Sequence, residues 1–261
     1  MNGRRNRTTK SWIETGVDFR TPAVLSSETD GYEVNTTYFN TGLYTISEAS
    51  RLTGVSRGRI RRWLRGYHYR SRQKSYTSRP LWRGQWEPID HTLALGFLDL
   101  IEIRFVDAFR RVGVSWATLR RANERAQEMF GGSHPFCTNR FVTDGREIFV
   151  ELHEQTGETS LLEIARSQQV FTDIVRPFLR DLEFDENEGL VRWWPLGKDR
   201  FVVIDPRRNF GSPIVVQHGV PTEVLAKAAK VSRSISEVVH WFAVPEEEIH
   251  DAVEYEQQLA A

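Results

Sequence analysis

Five arginines fall within nine residues, at Arg57, Arg59, Arg61, Arg62 and Arg65. Guanidinium groups at that density repel one another on a short helix, so the face they form calls for an anion. A phosphate backbone answers that need, because each phosphate neutralised releases condensed counterions. Other chemistry-bearing residues carry less. The runs Asp185-Glu186-x-Glu188 and Glu246-Glu247-Glu248 hold residue types that serve as general acids or metal ligands. Their settings, a polar turn and a first helical turn where carboxylates suit the dipole, explain them without chemistry. His218 beside Gly219 reads as a loop histidine, and Cys137 has no histidine at a nucleophile–base spacing. One cysteine excludes a disulfide framework and a cysteine-clustered zinc site. No Gly-rich phosphate loop, GxSxG or HExxH stretch occurs in the sequence. The expectation is a binding protein rather than an enzyme, with no catalytic residue, metal or cofactor.

The charge distribution agrees with that reading. The 261 residues have a formal net charge of zero, yet residues 41–125 carry 17 Lys+Arg against 7 Asp+Glu, and residues 126–261 carry 13 against 23. A basic half joined to an acidic half implies two partners of opposite sign. With 39% apolar and 27% charged residues the composition is globular. No apolar run approaches the ~18 residues of a membrane span, and no apolar segment follows the basic start MNGRRNRTTK. A cytoplasmic protein without a membrane partner is expected.

The elements that must position the arginines are legible as periodicity. Residues 1–40 are polar and read as a flexible arm, with a short strand near Tyr38-Phe39. Residues 44–66 (YTISEASRLTGVSRGRIRRWLRG) predict two short helices about a tight turn. Thr45 and Glu48 form a capping box, Ile46, Ala49 and Leu52 share a face, Gly54 supplies the left-handed residue, and Ser56 caps the second helix. Ile60, Trp63 and Leu64 then face inward. Arg57 and Arg59, early in this reader helix, suit base edges, whereas Arg61, Arg62 and Arg65 suit phosphate. Residues 67–90 predict a hairpin wing whose Arg70, Arg72, Lys74 and Arg83 reach flanking phosphates, with Trp82 and Trp86 as its core. Residues 93–130 predict a second helix pair, broken at Gly113 and restarted by Ser115.

Further on, residues 138–153 predict a hairpin about Asp144-Gly145, the strongest short hairpin signal. A helix over Leu161–Leu182 and strands at Leu190–Trp194 and Phe201–Ile204 follow. Residues 205–261 become helical after a loop rich in Pro and Gly, with a Ser234–Glu237 capping box and a last helix starting at Pro245. The fold class expected is α+β, mainly α. Four parts are expected: an arm at 1–40, a winged helix-turn-helix at 41–131, a connecting region at 132–204, and a trihelical domain at 205–261.

Two stretches resemble known families. Tyr44-Thr45-Ile46, Thr53-Gly54-Val55-Ser56 and Arg61 with Trp63 resemble the winged helix-turn-helix of MerR-type regulators, and LIEIRFVDAFRRVGVSWATLRRA is similar to that domain's second helix pair. The match covers roughly 43–126. It departs in ending its helix at Gly131-Gly132 and in lacking metal-binding cysteines. The end of the chain, with Asp205-Pro206, Gly211-x-Pro213, Pro221 and Ser234-x-x-Glu237, resembles small antitoxin domains encoded beside PIN-like ribonuclease toxins. Together the two look like a long VapB-type antitoxin. That resemblance implies operator DNA and a PIN-like toxin as partners, a homodimer and a larger hetero-oligomer, with a carboxyl fragment from residue 127 sufficient for the toxin. Trp193, Trp194 and Phe210 are candidate apolar anchors for the toxin. The alternative is a MerR-like regulator responding to a small molecule held by the Trp/Phe-rich segment 159–204.

Overall fold

In a computed structural model the described residues are 40–71, 74–89, 91–157, 161, 168–232 and 234–260. The expected arm and its strand fall outside them, apart from Asn40. Strand β1 (Tyr44–Thr45) enters helix α1 (Ile46–Thr53) through the expected capping box. Thr45 Oγ1 accepts from the Glu48 amide at 3.2 Å, and Glu48 Oε2 accepts from the Thr45 amide at 2.7 Å. Gly54, at φ +70°, ends α1 and donates its amide to the Ser50 carbonyl at 3.0 Å. Helix α2 (Arg57–Arg65) then buries Ile60, Trp63 and Leu64. Ser56 holds the N-cap position, but its hydroxyl makes no capping bond. Its carbonyl starts the helix instead, accepting from Arg59 at 2.9 Å and Ile60 at 3.1 Å.

The wing is shorter than expected. Strands β2 (Tyr67–Ser71) and β3 (Lys74–Ser78) pair antiparallel, with Tyr67 opposite Ser78. Gly66 before them has φ +72° and ψ −173°, a region almost reserved for glycine, and a Cβ there would strike the Ser78 carbonyl. Residues 79–89 fold back over the core, burying Leu81, Trp82 and Trp86. Strand β4 (Ala94–Leu95) pairs with β1. Helix α3 (Phe97–Arg111) ends just before Gly113, at φ +91°, and Ser115 Oγ accepts from the Thr118 amide to start α4 (Trp116–Phe130).

The expected hairpin over 138–153 is not formed. Thr138 Oγ1 accepts from the Phe141 amide and caps α5 (Asn139–Asp144), and α6 (Arg146–Thr156) follows directly. A primed hairpin turn needs positive φ at glycine, but Gly145 has φ −58° and ψ −16°, right-handed helical backbone. Burial of Phe141, Val142, Ile148, Phe149 and Leu152 at helical spacing overrides the local Asp-Gly signal. Helix α7 (Gln168–Asp181) ends one residue early, since Leu182 opens β5 (Leu182–Phe184), which pairs with β6 (Leu190–Trp193). The Phe105 and Phe178 rings stack at 4.0 Å, and Phe109 and Phe149 at 4.7 Å. One hydrophobic cluster thus runs from Tyr44 through the second helix pair to Ile204. A cut at residue 127 would split that core, so the expected free-standing carboxyl fragment does not fit this fold.

Strands β7 (Val202–Val203) and β8 (Ile214–Val215) pair antiparallel. Helices α8 (Thr222–Ser232), α9 (Ile235–Phe242) and α10 (Glu246–Ala260) close a smaller cluster of Val215, Leu225, Val238, Val244, Ile249 and Ala252. The expected Ser234–Glu237 box is absent. The Ser234 hydroxyl lies 2.9 Å from that of Ser236 and caps no amide. Arg200 ties α10 to β7 by hydrogen bonds to Asp251 at 2.9 and 2.5 Å. Among the described residues no helix is long and apolar enough to cross a membrane.

A buried polar network holds the wing's return against α3. Asp99 Oδ1 accepts from Trp82 Nε1 and bonds His134 Nε2, each at 2.8 Å, and Oδ2 accepts from the amides of Gly96 and Gln85 at 2.8 and 3.0 Å. One turn on, Glu102 accepts from Asn123 Nδ2 at 3.1 Å and from the Cys137 thiol at 3.2 Å. Burial pushes Glu102 up to about 7 from its ordinary 4.5. Burial also opposes charge on His134, but the bond and charge of Asp99 outweigh it and raise that group. Both shifts have one sign for stability. Folded Glu102 stays protonated where the unfolded chain ionises, and folded His134 stays charged where the unfolded chain neutralises. Unfolding free energy is therefore expected to fall as pH rises from 5 to 8, by on the order of 2–3 kcal/mol through Glu102. Urea midpoints across that range test this. Glu102→Gln should flatten most of the slope, and a flat wild-type profile would refute it.

Candidate nucleic-acid interface

Helix α2 packs on α1, sets Trp63 edge to face with Trp116 at the start of α4, and leaves Arg57, Arg61, Arg62 and Arg65 exposed. Arg65 Nη2 donates to the His91 carbonyl at 3.1 Å, which steadies it beside the wing's return. Arg70 is exposed on β2. Lys74 opens β3, and Arg72 lies outside the described residues. Arg83 belongs to the returning segment rather than the wing and pairs with Glu87 at 2.6 Å. Ser56 is exposed at the head of the reader.

Arg59 does not face outward with its neighbours. It turns back to Asp107 at 2.7 Å and lies 5.0 Å over the Trp63 ring. Asp107 also accepts from Arg111 Nε at 2.7 Å, so a single buried carboxylate on α3 offsets two arginines. A base-edge role for Arg59 is thereby corrected: its head is held against the helix pair. Sequence reasoning passed over two residues that shape this face. Arg120 on α4 donates to the Arg79 carbonyl and to Ser78 Oγ, fixing the end of β3. Arg110 donates to the Val114 carbonyl at 2.5 Å and lies 5.3 Å over Trp116. Their partners lie on other elements or across the α3–α4 turn, which no local spacing reveals.

The other candidates separate clearly. Trp193 is buried, with Arg104 4.2 Å over its ring, so it serves the core and offers no anchor. Burial between Trp193 and Phe178 lowers the Arg104 guanidinium to about 10. Trp194 is half-buried and donates to Glu183 Oε2 at 2.9 Å. Phe210 is 61% exposed. His218 bonds Glu248 at 3.0 Å, and Asp185 accepts amides of its own turn. The Cys137 thiol is buried, and that burial with the Glu102 charge raises it well above its ordinary range, away from nucleophilic use.

The comparisons fit this geometry. Residues 42–123 match a family model described as "Putative DNA-binding HTH domain". The chain is 27% identical over 226 residues to "Putative antitoxin VapB45" of Mycobacterium tuberculosis (strain ATCC 25618 / H37Rv), spanning 83% of this chain and 94% of that protein. Its fold is shared with the crystal structure of Rv2018 from Mycobacterium tuberculosis, at TM-score 0.65 and 24% identity, over 82% of this chain and 99% of that one. The chain is thus a mainly helical helix-turn-helix protein, similar to an antitoxin over most of its length.

Proposed function

We propose that this protein is a non-enzymatic antitoxin that binds operator DNA, represses its own operon and neutralises a PIN-like ribonuclease toxin. One observation carries the DNA half: a reader helix exposes Arg57, Arg61, Arg62 and Arg65 beside a wing, inside the residues matched by the DNA-binding family model. Major-groove readers of this kind place early helix residues on base edges and later ones on phosphate. Arg57 is the base-edge candidate, and Arg61, Arg62, Arg65 and Arg70 are the phosphate candidates. Arg57→Ala should cost about 1–3 kcal/mol on the operator and less on unrelated DNA, whereas Arg61→Ala should weaken both alike. With about five phosphates neutralised, log K against log salt should fall with a slope near −4 to −5. Gel shifts over a salt series test both, and an affinity that ignores the double change Arg57→Ala with Arg61→Ala would end this assignment.

A reader on a two-fold operator works as a dimer. The exposed Trp241 and Val231 on α9 and α8 supply apolar area for self-association. Light scattering at micromolar concentration should give twice the chain mass, and a monomer would count against this.

The toxin half rests on the similarity to an antitoxin and on the acidic carboxyl half. Such a surface attracts an RNA-binding groove of opposite sign. Phe210 is the anchor the geometry favours, because its ring stands in solvent where Trp193 does not. The reader and the acidic half share one core, so the full chain is the fitting test object. The variant Arg57→Ala with Arg61→Ala should lose DNA binding yet still rescue cells expressing the PIN-like protein of a neighbouring gene. Phe210→Ala should weaken co-purification with that protein, by about 2 kcal/mol for a true anchor, at unchanged urea midpoint. Undiminished capture by Phe210→Ala would remove that residue from the interface.

A further inference from the structure

Beside the reader, α2, the start of the wing and the α3–α4 joint enclose a pocket of about 200 Å3. It is lined by Arg59, Arg62, Trp63, Tyr67, Arg110 and Trp116. Three cations and three aromatic rings meet there, and no carboxylate lines it. Each guanidinium lies over a ring: Arg59 over Trp63 at 5.0 Å, Arg62 over Tyr67 at 6.0 Å, and Arg110 over Trp116 at 5.3 Å. The two tryptophans meet edge to face at 5.5 Å. From behind, Asp107 holds Arg59 and the Val114 carbonyl holds Arg110. Among the described residues no carboxylate pairs with Arg62.

These features select a ligand class. The volume is below the roughly 300–1,000 Å3 of drug-sized pockets but admits a phosphate group and part of its ester. Guanidinium forks match phosphate oxygens in pairs, and flanking rings exclude water and strengthen the charge-assisted bonds. The tethers fix two of the three heads in advance, so little side-chain freedom remains to be lost on binding. We propose that this pocket is a phosphate-ester site, filled by one phosphodiester of the DNA strand that passes the reader helix. The proposal rests on the DNA-binding reading and adds to it a seat built from three elements, which shares Arg62 with the exposed face of α2 and draws Arg59 and Arg110 from beside it. It also gives Arg59 a role that its turn toward Asp107 would otherwise deny it.

The experiment uses the full chain and a 30-base-pair duplex of arbitrary sequence, since phosphate contacts are indifferent to sequence. Arg62→Gln and Arg110→Gln are compared with wild type by fluorescence anisotropy over a salt series, with urea midpoints checking that both fold. Each variant should bind several-fold more weakly, and the salt slope should become shallower by about 0.9, one phosphate's worth. In a second arm, wild type and Arg110→Gln are titrated with inorganic phosphate and with adenosine monophosphate, following tryptophan emission. If wild type binds no duplex, the DNA reading fails. A saturable emission change absent from Arg110→Gln would then still support a phosphate-ester site, filled from solution. Should both variants keep the wild-type affinity and slope, with no emission response to either phosphate compound, the proposal is overturned while DNA binding through Arg57 and Arg61 stands.

Discussion

Asp99 is fully buried and ionisable, in a place where an unpaired carboxylate would be prohibitive. Four donors meet it: an indole, two amides and an imidazole. Its position in the first turn of α3 adds the positive end of the helix. The donors come from the wing's return, the residue between β4 and α3, and the segment after α4. Satisfying one charge therefore closes three loops on a common point. Gln85 repeats the device, since its Oε1 accepts from the Leu98 amide at 2.7 Å. With the return pinned there and the end of β3 pinned by Arg120, the wing has a fixed position beside α2.

Rigidity of that kind matters for a surface that concentrates like charge. Five arginines on nine residues of helix would repel whatever the fold did with them. The structure divides the load. Asp107 takes Arg59 and Arg111, the rings of Trp63, Tyr67 and Trp116 lie under Arg59, Arg62 and Arg110, the His91 carbonyl takes Arg65, and Arg57 and Arg61 are left exposed. A ring stabilises a cation through its quadrupole without cancelling the charge. The face thus stays strongly positive while the helix stays folded.

What was legible in the sequence is what is local. The Thr45–Glu48 box and Gly54 fix α1 and its turn within a few residues, and the helix-turn-helix follows from them. Ser115 and Gly131 bound α4 in the same way. Local signals failed where tertiary burial competed with them. Asp144-Gly145 promises a hairpin, but Phe141 and Phe149 are needed on one face to meet Phe109, and the backbone becomes helical. Ser234 has the right spacing to Glu237, yet its hydroxyl finds Ser236 first. The orientation of Arg59 depends on Asp107, and the burial of Trp193 on Arg104, each on another element. Spacing along the chain carries no trace of such pairs.

Phe210 shows the same logic from the opposite side. Asn209 and Phe210 both take left-handed backbone, at φ 46° and 52°, which costs residues with a Cβ on the order of 1–3 kcal/mol each. That conformation persists because the chain is held where it leaves the strained pair. The Phe210 carbonyl accepts from the Leu43 amide at 3.1 Å, and the Gly211 carbonyl accepts from the buried Tyr44 hydroxyl at 2.8 Å. Gly211 itself must lack a Cβ, because one would strike the Tyr44 ring. The strain is therefore spent on presenting an aromatic ring to water, which brings the isolated chain no burial. It is intelligible if a second surface covers that ring. The hydrogen bonds that hold the ring out come from Leu43 and Tyr44, at the entry to α1, so a partner closing on Phe210 would rest on the same frame that leads into the helix-turn-helix.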